Sequence, residues 1–182
     1  MRATGYSLII SNMFKIFIPL IFILNYSFAQ REVMNESTPT FKVSVKNTKL
    51  KFCGNYAGKL AFTVDGKAPT QSPDKTLFTV VLINVNTSGL NKRSYSVNKF
   101  MRLPYESLNL DRAILNTIEI DGLSGYEISD QGFSKSSGKK EQVYLVMLYI
   151  DSGYYLLIGT ATEDFDKNLT VFKTITKTFT QK

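Results

Sequence analysis

The chain has 182 residues, 22 Lys and Arg against 15 Asp and Glu, no His and a single Cys. Without His it lacks the commonest general base near neutral pH and the commonest metal ligand, and one Cys forms neither an internal disulfide nor a thiolate zinc site. We therefore expect no metal and no cofactor. The positive charges are scattered over strands, turns and the last predicted helix, which favours a solvated surface over a nucleic-acid interface.

The first thirty residues have the pattern of a secretory signal peptide. Arg2 and Lys15 are the only charged residues before position 30, and an apolar run follows at 16–24. A retained membrane anchor is the alternative, but this run is only about half of the ~20 apolar residues that a spanning helix needs. We therefore favour a cleaved signal peptide over an anchor.

The end of this segment predicts where it is cut. Ser27 and Ala29 are the small residues that a signal peptidase requires three and one positions before its cleavage site. The pattern predicts a signal peptide at 1–29 and a mature chain that begins at Gln30. The protein is then periplasmic or secreted, and it meets the membrane only in transit.

The mature chain is long enough for one domain with one core, which we place at 41–182 after a flexible lead-in at 30–40. Apolar and polar residues alternate in two stretches and predict half-buried strands. A third strand, at 77–85, is a continuous run of β-branched and aromatic residues, typical of a strand covered on both faces. The alternating apolar residues are Phe41, Val43 and Val45, then Leu60, Phe62 and Val64.

The region 86–116 has a different pattern and predicts helices. One helix ends by Pro104, because proline cannot continue it, and a second short helix covers 107–113. A short strand then ends at Gly122. The apolar residues behind these predictions are Val97, Phe100 and Met101 in the first helix, and Ile118 and Ile120 in the strand.

The C-terminal third predicts three antiparallel strands and a helix. A polar loop at 130–140 joins the first two strands, and a tight turn at 151–153 joins the last two. Apolar residues at steps of three and four then predict an amphipathic helix with Thr162 as its N-cap. The strands cover 123–129, 143–150 and 154–161, and the helical stripe is Phe165, Leu169, Phe172, Ile175 and Phe179.

Three small residues have structural interpretations. Gly122 and Gly125 bracket the start of a strand, where a missing Cβ permits a positive φ or the close approach of another element. Cys53 lies at the end of a predicted strand with no His to activate it, so we expect a buried, inert thiol.

The segment 118–128, the two strands after it and the helical segment 172–179 resemble the C-terminal half of PsbP-like domains. The resemblance covers roughly residues 75–180. It implies an α+β fold, a PsbP-like α/β sandwich with a central antiparallel β-sheet and helices packed on it, ending in a β-meander and a C-terminal amphipathic helix. It carries over no catalytic residues, because the positions that the family shares look structural. Many members are exported bacterial proteins without an assigned activity.

Two kinds of residue are candidates for a functional site. Glu127 would be a functional carboxylate if it were buried beside a specific partner, although a solvent-facing strand Glu is commoner and is the interpretation we prefer. Asp130 is the second candidate carboxylate. Tyrosines around the last hairpin form a candidate contact surface, with packing inside the sheet as the commoner alternative. They are Tyr144, Tyr149, Tyr154 and Tyr155.

Two functional hypotheses follow from these patterns. The first is an exported, non-catalytic binding or accessory protein of the bacterial cell envelope, which contacts a protein partner through a sheet edge, the 130–140 loop or the tyrosines. The alternative is a hydrolase or small-ligand-binding protein that uses Glu127 and Asp130. Because His and nucleophile motifs are absent from the sequence, we prefer the non-catalytic hypothesis.

Overall fold

The computed structural model describes residues 40–182. The predicted signal peptide, its cleavage between Ala29 and Gln30 and nearly all of the predicted lead-in lie outside the described residues.

In the described part, ten strands and two helices follow one another along the chain. The strands up to the first helix are β1 (Phe41–Lys42), β2 (Lys51–Tyr56), β3 (Lys59–Thr63) and β4 (Leu77–Asn84), and the helix is α1 (Lys92–Met101). The remaining elements are β5 (Tyr105–Glu106), β6 (Ile114–Ile120), β7 (Leu123–Ser134), β8 (Lys140–Ile150), β9 (Gly153–Ala161), α2 (Phe165–Thr176) and β10 (Thr180–Gln181).

All strand pairs are antiparallel, and most strands belong to one large sheet. Its order is β2-β3-β4-β9-β8-β7, and the far side of β7 is shared by β6 and β5. Strands β1 and β10 form a separate two-stranded sheet. The α+β class, with a central antiparallel sheet and helices packed on it, is confirmed.

The two helices cover opposite faces of the large sheet. On the α2 face, Phe172 and Ile175 pack with the even-numbered core residues of β8, including Tyr144 and Val146. On the α1 face, Phe100 packs with the odd-numbered core residues of the same strand. Because side chains alternate across a strand, β8 is buried on both faces and forms the centre of three layers.

The predicted roles of Gly122 and Gly125 are both confirmed. The turn from β6 to β7 is made by Asp121 and Gly122, with φ of 52° and 75°. Both residues adopt the left-handed conformation, which a type I′ turn requires at its two central positions. Gly125 has no such φ; a Cβ there would collide with the backbone carbonyl of Met147 on β8.

Four predicted segments differ in the structure. The strand predicted from Phe41, Val43 and Val45 ends at Lys42, and residues 43–45 lie outside any strand. Residues 107–113 form turns rather than a short helix. Strand β7 runs on to Ser134, so the predicted polar loop shrinks to residues 135–139. In the strand predicted at 77–85, Phe78 and Val80 are fully buried but the alternating residues Leu77, Thr79 and Val81 are half-buried, so the second face is covered only in part.

The last helix begins at the first residue of its apolar stripe, later than the predicted N-cap implies, and it ends before the last residue of the stripe. Its first residue is Phe165, preceded by Asp164 in the left-handed conformation with φ of 46°, so Thr162 is not the N-cap. The left-handed residue turns the chain between β9 and α2, a reversal that apolar periodicity does not encode. Phe179 lies beyond the helix but is buried, with its ring 4.9 Å from that of Tyr155.

Candidate functional site

The four tyrosines of the predicted contact surface lie in the core. Their exposed fractions run from 0% to 5%. Tyr144 and Tyr155 face α2, whereas Tyr149 and Tyr154 face α1. The candidate surface is therefore wrong, because β8 and β9 are central strands with both faces covered.

Glu127 is buried, with 8% exposure, so the preferred solvent-facing interpretation is wrong. Its Oε1 lies 3.0 Å from Nζ of Lys173 on α2 and accepts a hydrogen bond from the Asn116 amide at 3.3 Å. The hydroxyl of Tyr144 donates to Oε2 at 2.9 Å. Burial and the negative charge of Glu127 raise the pKa of Tyr144, so this hydroxyl stays protonated as a donor. The carboxylate thus links β7 and β8 to α2.

Asp130 is held by a two-pronged ion pair. Arg112 Nε lies 2.7 Å from Oδ1, Arg112 Nη2 donates to Oδ2 at 2.8 Å, and the Asn109 backbone N–H also donates to Oδ2. Burial by itself raises the pKa of Asp130, but the hydrogen bonds from Arg112 and Asn109 outweigh it and hold the pKa below its ordinary value. Arg112 also donates to the carbonyls of Ser107 and Gln131. The ion pair of Arg112 with Asp130 holds the 107–113 segment against the sheet, although this segment is not helical.

The two candidate carboxylates do not converge. Glu127 bonds to Tyr144 and Lys173 on the α2 face, whereas Asp130 shares its face of β7 with Ile128, which packs in the α1-face core. Residues three apart on a strand point to opposite sides of the sheet. A paired acid and base built from these two residues is therefore not formed.

The residues around the shortened loop enclose a cavity of about 350 Å³ at one end of the sheet. It lies where β5 meets the end of β7, beside the β8–β9 end at which Gln142 pairs with Ala161. Although most of its exposed surface is apolar, we call it the hydroxyl-lined cavity, because eight of its fifteen lining residues carry a hydroxyl group. Among them are Thr63, Thr76, Tyr105, Ser134, Ser136 and Thr160.

A hydrogen-bonded carboxylate occupies the wall of this cavity. The hydroxyl of Tyr105 donates to Glu141 Oε2 at 2.8 Å, and the hydroxyl of Ser137 donates to Oε1 at 3.2 Å. Burial, together with the hydrogen bond and charge of Glu141, raises the pKa of Tyr105. Within the described residues, Glu141 has no Lys or Arg nitrogen within 4.0 Å. The side-chain hydrogen bonds that Glu141 accepts in this part of the chain therefore come from neutral hydroxyl groups.

Backbone hydrogen bonds fix the loop at the mouth of the cavity. Ser134 N–H donates to the Lys139 carbonyl at 2.9 Å, and Gly138 N–H donates to the Ser134 carbonyl at 2.8 Å. Lys135 N–H donates to the Pro104 carbonyl at 2.9 Å, which ties the loop to the start of β5. These backbone hydrogen bonds fix the conformation of the loop that borders the cavity, so this part of the wall is preformed.

The sequence interpretation missed Tyr105 and Glu141. The signal it contained was the polar 130–140 loop, which was named as a contact region and whose shortened form now borders the cavity. Tyr105 could not be placed there from sequence, because its contact with Glu141 depends on the pairing of β5 with the end of β7.

The described residues also line a second pocket, of about 450 Å³, whose wall includes Lys92, Glu119 and Tyr149. Residues 40–182 hold no group of three His, Cys, Asp or Glu side chains that could bind a metal ion. None of the helices in this part is long and apolar enough to cross a membrane. Cys53 is half-buried rather than buried, and burial raises the pKa of its thiol, which keeps it in the less reactive protonated form.

Comparisons with known proteins show a similar fold. No protein-family model and no curated protein matches the chain. A crystal structure from Bacteroides thetaiotaomicron VPI-5482 is similar, with 11% sequence identity and a TM-score of 0.50 over 80% of this chain. The chain spans about half of that protein, since 47% of it is covered. At this identity the similarity shows the fold alone.

Proposed function

We propose that this chain is an exported, non-catalytic binding protein of the bacterial envelope, and that its binding site is the hydroxyl-lined cavity. The observation that carries the proposal is the preformed cavity of about 350 Å³, which lies within the size range of small-ligand pockets, ~300–1,000 Å³. Its wall combines hydroxyl groups with the carboxylate of Glu141, and such convergent polar groups fix the orientation of a ligand.

The assignment as non-catalytic is supported by how the other carboxylates are used. Glu127 forms an ion pair with Lys173 and Asp130 forms one with Arg112, and the two carboxylates point to opposite faces of the sheet. The hydrolase that would use them together therefore loses its support. A protein partner stays a prediction, and the buried tyrosines no longer support it.

Export rests on the signal-peptide pattern at 1–29 and would make the protein periplasmic or secreted. The test is expression of the full chain in a bacterium, followed by N-terminal sequencing of the product in the periplasm and medium. We expect a chain that starts at Gln30. A product that keeps residues 1–29 and stays in the membrane fraction would contradict export with cleavage.

We also propose that the sheet and its helices form a PsbP-like sandwich that ends in a β-meander and an amphipathic helix. The order β6, β7, β8, β9 and α2 supports it, since each of these strands pairs with the next. Superposition of an experimental structure on solved PsbP-like domains tests it. A different strand order in the aligned core would reject it.

The cavity is tested by blocking it. The full chain is expressed, and the exported protein is purified without denaturation and weighed by native mass spectrometry. We expect a retained small molecule in the natural protein. Ser136→Trp, on the exposed loop, fills the mouth of the cavity and should abolish retention. Ser152→Trp, in the exposed turn at the opposite end of β8 and β9, is the matched control. Equal retention by both variants would reject the cavity as the site.

A further inference from the structure

The charge of Glu141 is the first clue to the ligand of the hydroxyl-lined cavity. A carboxylate has about four lone-pair positions, and Tyr105 and Ser137 occupy one on each oxygen. The carboxylate is half-buried, where a charge without a counter-ion is costly. A ligand ammonium group would supply that counter-ion through charge-assisted hydrogen bonds.

The cavity wall also holds positive charge that is not used in ion pairs. Lys75 and Lys139 line it, both are exposed, and neither has a carboxylate oxygen within 4.0 Å in the described part of the chain. The ammonium of Lys75 donates to the Ser72 carbonyl at 2.6 Å, which fixes its position. A second wall carboxylate, Asp74, accepts only from the Thr76 N–H at 2.7 Å. The wall thus presents both signs of charge, and Lys75, Lys139, Asp74 and Glu141 form no ion pair with one another.

The remaining lining limits the size and polarity of the ligand. At about 350 Å³, the cavity is near the lower end of ligand pockets, so it suits a compact molecule. Pro69, Leu77 and Pro104 add apolar contact next to the hydroxyl groups. A short molecule with an aliphatic part and two charged ends fits this wall better than a large or wholly apolar one.

We propose that the hydroxyl-lined cavity binds a small zwitterion, an α-amino acid or a dipeptide, with its ammonium group on Glu141 and its carboxylate toward Lys139. This inference rests on the proposed function, since it names the ligand of the same cavity. Tyr105 is then a positioning residue, because its hydroxyl holds the Glu141 carboxylate in place.

The test is titration of the processed, exported protein with defined probes by NMR and calorimetry. The probes are pools of the L-amino acids and dipeptides, their N-acetyl forms, their amides and a neutral disaccharide. We expect binding of free amino acids or dipeptides, with loss of affinity when either end is blocked. Glu141→Gln keeps the shape and removes the charge, and it should raise the Kd about tenfold or more. Glu106→Gln, an exposed carboxylate on the neighbouring strand, should not change the Kd.

The alternative outcomes are distinct. If the disaccharide binds equally well to the natural protein and to Glu141→Gln, the zwitterion is rejected while the cavity stays a binding site. If N-acetyl or amide forms bind as well as the free probes, the zwitterion is rejected too. If no probe binds and native mass spectrometry shows no retained molecule, the cavity itself is rejected as a site, and the proposed function fails with it.

Discussion

The two faces of the large sheet are stabilised in different ways. On the α2 face, the rings of Phe78 and Tyr144 stack against Phe172 with centroids 5.8 Å and 6.1 Å away. On the α1 face, the hydroxyl of Tyr149 bonds to Ser96 at 2.8 Å and to the Lys92 carbonyl at 3.0 Å. Buried aromatic area contributes most on the α2 face, beside the ion pair of Lys173 with Glu127, whereas residues of α1 itself form hydrogen bonds to Tyr149.

This difference means that the same kind of substitution should act unequally on the two faces. Loss of ring volume should damage the α2 face most, because stacked side chains leave a cavity that cannot collapse fully. Loss of a single polar atom should matter on the α1 face, because its partner is left buried without a hydrogen bond. The following substitutions test this contrast, starting with the largest expected effect.

Phe172→Ala should lower the free energy of unfolding by about 3–5 kcal/mol, because the ring is fully buried between strands and helix. Urea denaturation followed by circular dichroism measures the loss. Phe165→Ala, at the half-buried start of the same helix, is the control and should cost clearly less. Equal losses for the two variants would show that the aromatic stack does not dominate this face.

Asp130→Asn should lower the free energy of unfolding by about 2–3 kcal/mol, because it breaks the charged hydrogen bonds to Arg112 and Asn109 on the α1 face. The pKa of Asp130 is lower in the folded chain than in the unfolded one, so this stabilisation is present above pH ~4 and is lost as the pH falls through the folded pKa. The difference between variant and natural protein should therefore shrink in acid.

The control for the ion pair of Asp130 with Arg112 is Asp111→Asn, which changes an exposed carboxylate in the 107–113 segment. It should leave the free energy of unfolding nearly unchanged at every pH. A gap in the free energy of unfolding between Asp130→Asn and the natural protein that persisted below the folded pKa of Asp130 would mean that the loss comes from packing rather than from charge.

Tyr149→Phe should cost about 1 kcal/mol, because it removes the hydroxyl that bonds to Ser96 and leaves a buried serine without that partner. Amide hydrogen exchange should accelerate in α1 more than in α2. Tyr155→Phe on the other face loses only a 3.4 Å contact to the Thr40 carbonyl, so its effect should be small. Uniform acceleration in both helices would mean that the faces open together.

The parts of the fold that the sequence predicts are those set by local pattern. Alternation predicted β3 and β6 but extended β1 too far, and spacing of three and four residues predicted most of α2. Gly122 was interpreted correctly because its positive φ belongs to a local turn, and Gly125 because a glycine permits close approach, although the approaching Met147 carbonyl lies on another strand.

The errors occur where distant residues decide the outcome. The 107–113 segment is shaped by the contact of Arg112 with Asp130 on another strand. Glu127 lies on the sheet face that the last helix packs against, and Lys173 of that helix pairs with it. The four tyrosines were interpreted as a contact surface because the amphipathic ring of tyrosine occurs both on exposed surfaces and in covered strands. The cavity depends on the meeting of β5, β7 and β8, which no single segment encodes.

The small sheet of β1 and β10 joins the two ends of the described chain. Phe41 pairs with Gln181, and the Lys182 N–H donates to the Thr40 carbonyl at 2.9 Å. The ring of Phe41 stacks against Phe179 with centroids 5.8 Å apart, so both ends also contribute to the core on the α2 face. Because each strand of this sheet is the partner of the other, removal of either end would leave the opposite end unpaired.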